Sequence, residues 1–544
     1  MENPVSIVGP DGRPLAQRPS RASMLVGGGS TPYDAADRTS DHMATWSPYL
    51  ASPDGELNSY RDTIVSRVRD LVRNDGWASA AVTRTLDNVV GADFRPVSKP
   101  DHQALKAMTG IKGFDHVWAN EYGRAVEAHW RSWANDAGRY CDTQRSQTIA
   151  QMMRLGFRHK IVDGDALAIL HWLPERVGAG RARYATALQM VDPDRLSNPH
   201  LRFDEDTMRG GVEVDAFGAA VAYHIRRAHQ GDYFSAAKAL TWDRIARETD
   251  WGRPIVVHDF DADRAGQHRG GAGILTPVLA RLKMLIKYDG TELDAAIINA
   301  IFGAYIESPF DPSMVGEALG EGEELGQYQS DRADFHGETK IKLGGARMPI
   351  LFPGEKINTV TAARPASNFA DFEAAMLRNV AAGTGTSTQQ ISQNWSDVNY
   401  SSYRAAMLEA WKTFDRRRID FAVGFGQQIY NAFMEESMEA DDLPLPAGAP
   451  PFLACRTAYA RAKWMGPGRG YTDPVKEKQG AILGMDAGLS TLEAEAAELV
   501  GEDWRDNLDQ RAIEVARFKE LGLPLPKWAE GDNAAQASKE QEAT

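Results

Sequence analysis

From Thr276 to Tyr305 the chain keeps apolar residues at helical spacing: Val278, Leu279, Leu282, Leu285 and Ile286, then Leu293, Ile297, Ile298, Ile301 and Phe302. Thr276 before Pro277 makes a good helix start. Asp289-Gly290 interrupts the pattern, and Thr291 with Asp294 can cap its renewal. If continuous, the run is about 45 Å of helix at roughly 1.5 Å per residue, long for the domain that carries it. A second, shorter helix is predicted to begin at Asn368, with Asp371 three residues on, and to run through Phe372, Met376 and Val380 to a stop at Gly383. A third starts near Ser401 and continues through Trp411, Phe414, Phe421, Phe425, Ile429 and Phe433, with a kink predicted at Gly424 and Gly426. Between the last two, residues 383–400 read as a polar loop. Helices this long, on a chain split into several lobes, need neighbours.

Elsewhere the pattern is mixed. Residues 1–57 are rich in Gly, Pro, Ser and Asp and read as a mobile lead segment. From Arg61 a helical run carries Ile64, Val68, Leu71, Val72, Leu86 and Val89 and ends at Gly91. Another holds Tyr122, Val126, His129, Trp130 and Trp133, with His129 a core or surface imidazole because no second ligand lies one turn away. Short strands at 166–173, 186–191, 211–215, 220–225 and 254–258, with Gly, Pro and Asp between them, indicate an α+β domain built on antiparallel pairs. After the Pro-rich linker 442–451 comes a mostly helical piece to about Pro526, then an Ala/Glu/Gln/Lys tail predicted to be disordered.

The 544 residues, 43% hydrophobic with 13 Trp and 19 Phe, can bury a large core and should form more than one compact unit. Cys141 and Cys455 make no disulfide framework and lack zinc-site spacing, which fits core thiols in a reducing cytoplasm. The start lacks a basic segment before an apolar one, and no apolar stretch approaches the ~20 residues that cross a bilayer, so neither export signal nor membrane span is expected. Net charge is −14 and pI about 5.4, unlike the basic stripe of a protein that grips DNA. Acid is concentrated at Glu307, Asp311, Glu317, Glu321, Glu323, Glu324, Asp331, Asp334 and Glu338, where the one base is Arg332. A solvated loop is the commoner fate of such a run. The functional reading is a rim that repels a polyanion and lets it slide.

No catalytic motif emerges. GxxxxGK[ST], HExxH and GxSxG are absent, and the glycine clusters do not follow a strand with GxGxxG spacing. Asp163-Gly-Asp165 and Asp192-Pro-Asp194 read as turns rather than metal pairs, since Asp, Gly and Pro form turns and no third ligand is near. The expectation is no catalytic residue, no metal and no cofactor.

The block from Trp464 through Gly466, Pro467, Asp473, Pro474, Lys476 and Glu477 to Thr491 is glycine-punctuated, with Asp473 capping a helix that Pro474 opens; it reads as an assembly joint. Together with Asn394-Trp-Ser-Asp397-Val-Asn399-Tyr400-Ser401-Ser402-Tyr-Arg404 and Gln267-His-Arg269-Gly270, it resembles the lambda-type family of tailed-phage portal proteins. Further matching pieces follow in order between about Leu71 and Pro526: Trp130-Arg-Ser-Trp133 with Cys141-Asp142, Gly164-Asp165, Leu188 to Asp192, Gly211 to Asp215, His258, Leu351 to Glu355 and Arg378 to Gly383. Where the family usually has a glycine after the Cys-Asp pair, this chain has Gln144 and Arg145.

The resemblance implies a portal-type fold assembled as a dodecameric ring at one vertex of a phage head, through which double-stranded DNA is packed and ejected. On that plan 58–272 is the wing, 273–305 a stem helix, 306–367 the acidic clip and 368–383 the second stem helix. Residues 384–400 are the tunnel loop, 401–475 the long kinked helix returning to the wing, 476–526 the crown and 527–544 a tail. The clip role favours repulsive lining by Glu317, Glu321, Glu323, Glu324, Asp331 and Asp334. In the tunnel loop, Gln389, Gln390, Gln393 and Asn394 are expected to touch DNA through transient hydrogen bonds without counterion release. Implied partners are the terminase large subunit, a head-completion or adaptor protein, and the capsid and scaffold proteins, in a ring assembled in the host cytoplasm and carried in the virion, with no membrane. A head-maturation hydrolase and a monomeric scaffold-binding adaptor are the alternatives.

Overall fold

The computed structural model describes residues 34–37, 42–43, 45–271, 273–301, 305–307, 330–331, 334–335, 356–358, 369–396 and 399–529. The chain divides into two units, Met1–Ser52 and Pro53–Thr544, and the described part of the first includes one 3-10 turn, Asp34–Ala36. The second begins before the boundary expected at residue 57. Pro53–Leu57 is helical, and buried Asp54 accepts hydrogen bonds from the backbone N and Nδ1 of His268. A charge whose hydration is replaced by two donors has reason to stay folded.

Arg61–Asn74 and Gly76–Val89 are separate helices because Asp75 between them is extended and caps the second through Ala78 N at 2.7 Å. Their apolar faces join His116–Ala134 and Ile149–Asp163 in one core that extends to the C-terminal third of the chain. Trp130 is central to it, meeting Phe433 at 5.2 Å, Tyr430 at 5.4 Å and Trp464 at 6.3 Å edge to face. Such ring pairs contribute about 0.5–1.5 kcal/mol each beyond area burial.

All named strand pairs are antiparallel, as the spacing predicted. Asp165–Trp172 lies between Thr186–Val191 and Val256–Phe260. A second sheet runs Met208–Arg209, Val212–Val214, Ala220–Arg226, Trp242–Ala246 in spatial order. A smaller core, including Leu167, Ile169, Val212, Tyr223 and Ile225, joins the two. The pairing of Arg95–Ser98 with Ala462–Met465, which staples the two ends of the fold, was not anticipated. Four residues with a proline give no alternation to read.

The first long helix is a 3-10 turn, Thr276–Val278, followed by Leu279–Ile301 without a break. This corrects the interruption expected at Asp289-Gly290. Thr291 Oγ1 bonds back to Lys287 O rather than capping a new start, while buried Leu282 and Leu285 hold the preceding turns. Phe369–Thr384 lies antiparallel beside it, with Phe369 stacked on Tyr288 at 5.7 Å and Gly383 tight against Val278. It ends one residue past the predicted Gly383, at left-handed Gly385. Between the two helices Tyr305–Glu307 pairs with Lys356–Asn358.

The third helix runs Tyr400–Phe421, passes through a π turn at Ala422–Gly426 and continues as Gln427–Ala440. Both glycines are there because something else occupies the Cβ position. At Gly424 a Cβ would stand 2.1 Å from Asp259 Oδ1, and at Gly426 2.9 Å from the Trp464 ring. Where a family glycine was expected, the turn survives without one. Arg145 takes φ +56° and stacks on Tyr140, while Asp142 accepts from Gln144 N, Ser146 N and Gln147 N. The C-terminal helices are Pro474–Asp486, Leu492–Leu499 and Trp504–Glu520, the first capped by Asp473 as predicted.

Two glycine replacements should move stability in opposite directions. Gly290→Ala meets open space inside a helix and should stabilise by about 0.5–1 kcal/mol. Gly424→Ala must displace Asp259 from Lys160 and should cost about 1–3 kcal/mol. Urea unfolding of both variants checks the pair; a neutral Gly424→Ala would remove the account of the π turn.

Candidate functional site

Asp165 is fully buried where Ile149–Asp163 hands over to the central strand, with left-handed Gly164 between them. Its Oδ2 receives Arg61 at 2.9 Å and Arg269 at 2.7 Å, and its Oδ1 receives Gly270 N at 2.6 Å and faces His258 Nε2 at 3.0 Å. Arg269 spends its other donors on the carbonyls of Pro193, Leu196 and Gly210. Burial alone would raise the Asp165 pKa, but Arg269, Arg61 and the His258 bond outweigh it and hold the carboxyl well below the usual range. Alongside, Arg69 binds Asp163, Asp192 and Asp194, and Lys160 binds Asp259 and Asp261. The two acidic turns seen in the sequence are therefore halves of one ion-pair network, and each aspartate is paired with a cationic side chain. Among the described residues no cluster of His, Cys, Asp or Glu could hold a metal ion.

The network anchors the root of the first long helix. Gly270 and Gly273 cross the end of Ile149–Asp163 so closely that a Cβ would lie 1.9 Å from Gly164 O and 2.1 Å from Ile161 O. The Gln267-His-Arg269-Gly270 motif thus fixes the point at which the chain leaves the sheet domain for the helix. Sequence reading marked Gly164-Asp165 and Arg269 as matching pieces but missed that they touch, because nothing local links positions about a hundred residues apart.

The Trp464 block packs segments distant in sequence against one another within the chain. Trp464 stacks on Phe94 at 5.1 Å and covers Gly426. Arg418 donates to Val89 O, Asn88 O and Pro467 O, and Gly466 leaves room for its guanidinium. Neither Arg418 nor the buried Arg505–Glu127–Asp503 cluster that pins Trp504–Glu520 was singled out in the sequence. Asp473 and Glu477 cap the helix that Pro474 opens, and Lys476 Nζ lies 5.7 Å from the Tyr400 ring, which joins the two motifs. Asn399 caps the third helix through Ser402 N, one residue ahead of the predicted start, while Ser401 and Arg404 are exposed.

The segment 384–400 is not the plain loop expected. Thr388–Ser392 is a helix with a capping box between Ser387 and Gln390, and Ile391 is buried. Gln390 accordingly does not face outward. It is 6% exposed and its amide oxygen receives Ser387 N at 2.9 Å, which corrects its assignment as a DNA contact. Gln389 is half-buried, while Gln393, in a left-handed conformation, and Asn394 are exposed. Asp331 and Asp334 are exposed; Glu317, Glu321, Glu323 and Glu324 lie outside the described residues.

With this geometry in place, comparison with known proteins identifies the class. Residues 39–418 match the family profile "Phage portal protein, lambda family". The chain is 32% identical over 544 residues to the portal protein of Escherichia phage N15, covering 99% of this chain and 98% of that one. It is 32% identical over 494 residues to portal protein B of Escherichia phage lambda, covering 90% of each. Among solved structures it is similar to a chain of the neck of an empty gene transfer agent particle, with a TM-score of 0.41, 13% identity, 79% of this chain and 92% of that chain covered. The chain belongs to the lambda family of phage portal proteins.

Asp165→Asn leaves Arg269 buried without its carboxylate partner and Arg61 with only Asp194 at 3.7 Å, and should cost about 3–5 kcal/mol in urea unfolding. The Asp165 and Asp163 carboxyls are both depressed in the folded chain. The stability they supply is complete above the ordinary carboxylate range and drains as pH falls through their folded-state values. Stability of the parent should therefore fall below about pH 4, and more gently in Asp165→Asn. An acid limb equally steep in both would place the titrating groups elsewhere.

Proposed function

We propose that this chain is the portal subunit of a tailed-phage head: twelve copies close into a ring at one vertex, and double-stranded DNA is packed and ejected through its centre. The near full-length relationship to the portal proteins of phages N15 and lambda carries the reading. The two antiparallel long helices support it, because Met284, Leu293, Ile297 and Phe372 stay exposed on them and need neighbours. In this reading the helices Leu279–Ile301 and Phe369–Thr384 form the stem and residues 306–367 the acidic clip. The segment 384–400 borders the channel, the sheets with the third helix make the wing, and the C-terminal helices make the crown. The portal family is structural rather than enzymatic, and the ring works as an inert conduit whose motor and connector are partners, the terminase large subunit and a head-completion protein. No described helix is long and apolar enough to cross a membrane.

Electron microscopy of the purified chain should show closed rings with a central channel. A uniformly monomeric species at micromolar concentration, in salt that permits assembly, would remove the ring.

The channel contact is narrowed by the burial of Gln390. Gln389, Gln393 and Asn394 remain as polar groups that touch phosphates weakly, with no cation to hold DNA in place. Replacing these three by lysine, with Gln390 kept, should leave rings intact and impair packaging, since each subunit then makes phosphate contacts that must break at every step. Packaging at the parental rate would put this segment away from the DNA.

A further inference from the structure

The sheet Met208–Arg209 to Trp242–Ala246 ends in aromatic tips that nothing in its own unit covers. The link between its last two strands carries a 3-10 turn, Tyr233–Ser235, in which Tyr233 is 94% and Phe234 102% exposed. Two adjacent aromatic side chains left wholly in water are not placed there by the fold, whose cores lie elsewhere. The same end of the sheet holds a strained loop. His200 and Leu201 both take positive φ, +57° and +58°, a conformation that costs a non-glycine residue about 1–2 kcal/mol. His200 rests against Trp242 at 5.7 Å, and Leu201 is turned outward. Backbone strain that serves to present an apolar side chain to solvent points to a contact made outside the subunit.

The chain also carries a receptor for such a tip. A cleft of about 810 Å³ opens between the helix His102–Thr109 and the segment 453–462, a size that takes organic groups. Its lining is mixed: Met108 and Leu453 are exposed, Ala458 and Cys455 are buried, and Asp101 is paired with Arg461 beside them. Charge matches as well. Asp232 sits at the base of the tip and caps Phe234 N, while Arg456 in the cleft donates to the Gly252 carbonyl and pairs with no carboxylate among the described residues. A closed ring needs two unlike, complementary patches on each copy, a projection on one side and a socket on the other.

We infer that Tyr233 and Phe234 of one subunit plug into the Met108–Leu453 cleft of the next copy, with Asp232 facing Arg456. The inference rests on the ring reading and names the contact that closes it. A covering segment of the same chain or a different protein are the competing occupants, and both leave the ring independent of these residues.

The test uses the full chain with Tyr233→Ser/Phe234→Ser as the tip variant and Leu453→Glu as the socket variant, read by mass photometry and electron microscopy. All the altered side chains are at least half exposed, so thermal unfolding of each dilute variant should match the parent subunit and exclude misfolding. Each variant alone should lose at least tenfold of its rings. Mixed one to one, they should give dimers and nothing larger, because a tip variant keeps its socket, a socket variant keeps its tip, and one intact contact forms per pair. Rings from either variant at the parental level, or a mixture that stays monomeric, would overturn the contact. A parent that itself never forms rings would instead sink the ring reading, and so the two failures are told apart.

Discussion

A single buried carboxylate organises the junction on which the rest of this fold depends. Asp165 lies in the interior with two guanidiniums, a backbone N–H and an imidazole around it, drawn from a helix at residue 61, a strand at 258 and a turn at 269–270. Each of those donors would be costly to bury alone, and the carboxylate would be costly without them. The arrangement is therefore all or none: the N-terminal helix, the central strand and the chain entering the first long helix take their places together. The glycines at 164, 270 and 273 are the steric counterpart, since the backbones they bring together leave no space for side chains.

What lies beyond that junction has a different character. The long helices carry exposed apolar side chains, and the C-terminal helix Pro474–Asp486 buries none of its residues in the single chain. Such exposed elements suit a subunit finished by its neighbours, and the aromatic tip at Tyr233 and the cleft at Leu453 likewise coexist on one molecule without meeting in it.

The sequence was most legible where the signal was local. Helical spacing from Thr276 to Ile301 and from Ser401 to Phe433, the cap at Asp473, and five of the strands could be read because their determinants lie within a few residues of one another. The misreadings share a cause. Gly290 looked like a break because glycine weakens helices, but the buried Leu285 and Leu282, five and eight residues earlier, anchor the helix through it. Gln390 looked like a ligand-facing amide because a capping box four residues long hides in a run of Ser, Thr and Gln. The Asp165 network could not be read at all. Aspartates at 163, 165, 192 and 194 were visible as turn formers, and the arginines that neutralise them gave no local sign of the pairing. The family resemblance marked the right residues without saying what they did.

Arginine recurs at many joints in the molecule, paired with carboxylates at some and with main-chain oxygens at others. Arg418 takes three carbonyls from the segments 88–89 and 467, Arg269 takes three from 193, 196 and 210, Arg253 takes Ala432 O, and Arg176 takes the carbonyls of Asp142 and Thr143. A planar guanidinium with five fixed donors reads the positions of several carbonyls at once, which an apolar contact cannot do. Such joints contribute little net stability compared with a well-packed hydrophobic alternative. Their gain is in geometry, because a carbonyl shifted by an ångström loses its bond whereas an apolar surface slides. For a subunit proposed to sit in a ring and guide a moving polymer, resistance to sliding at the joints matters more than the last few kcal/mol of stability, and the placement of these arginines between segments distant in sequence follows from that need.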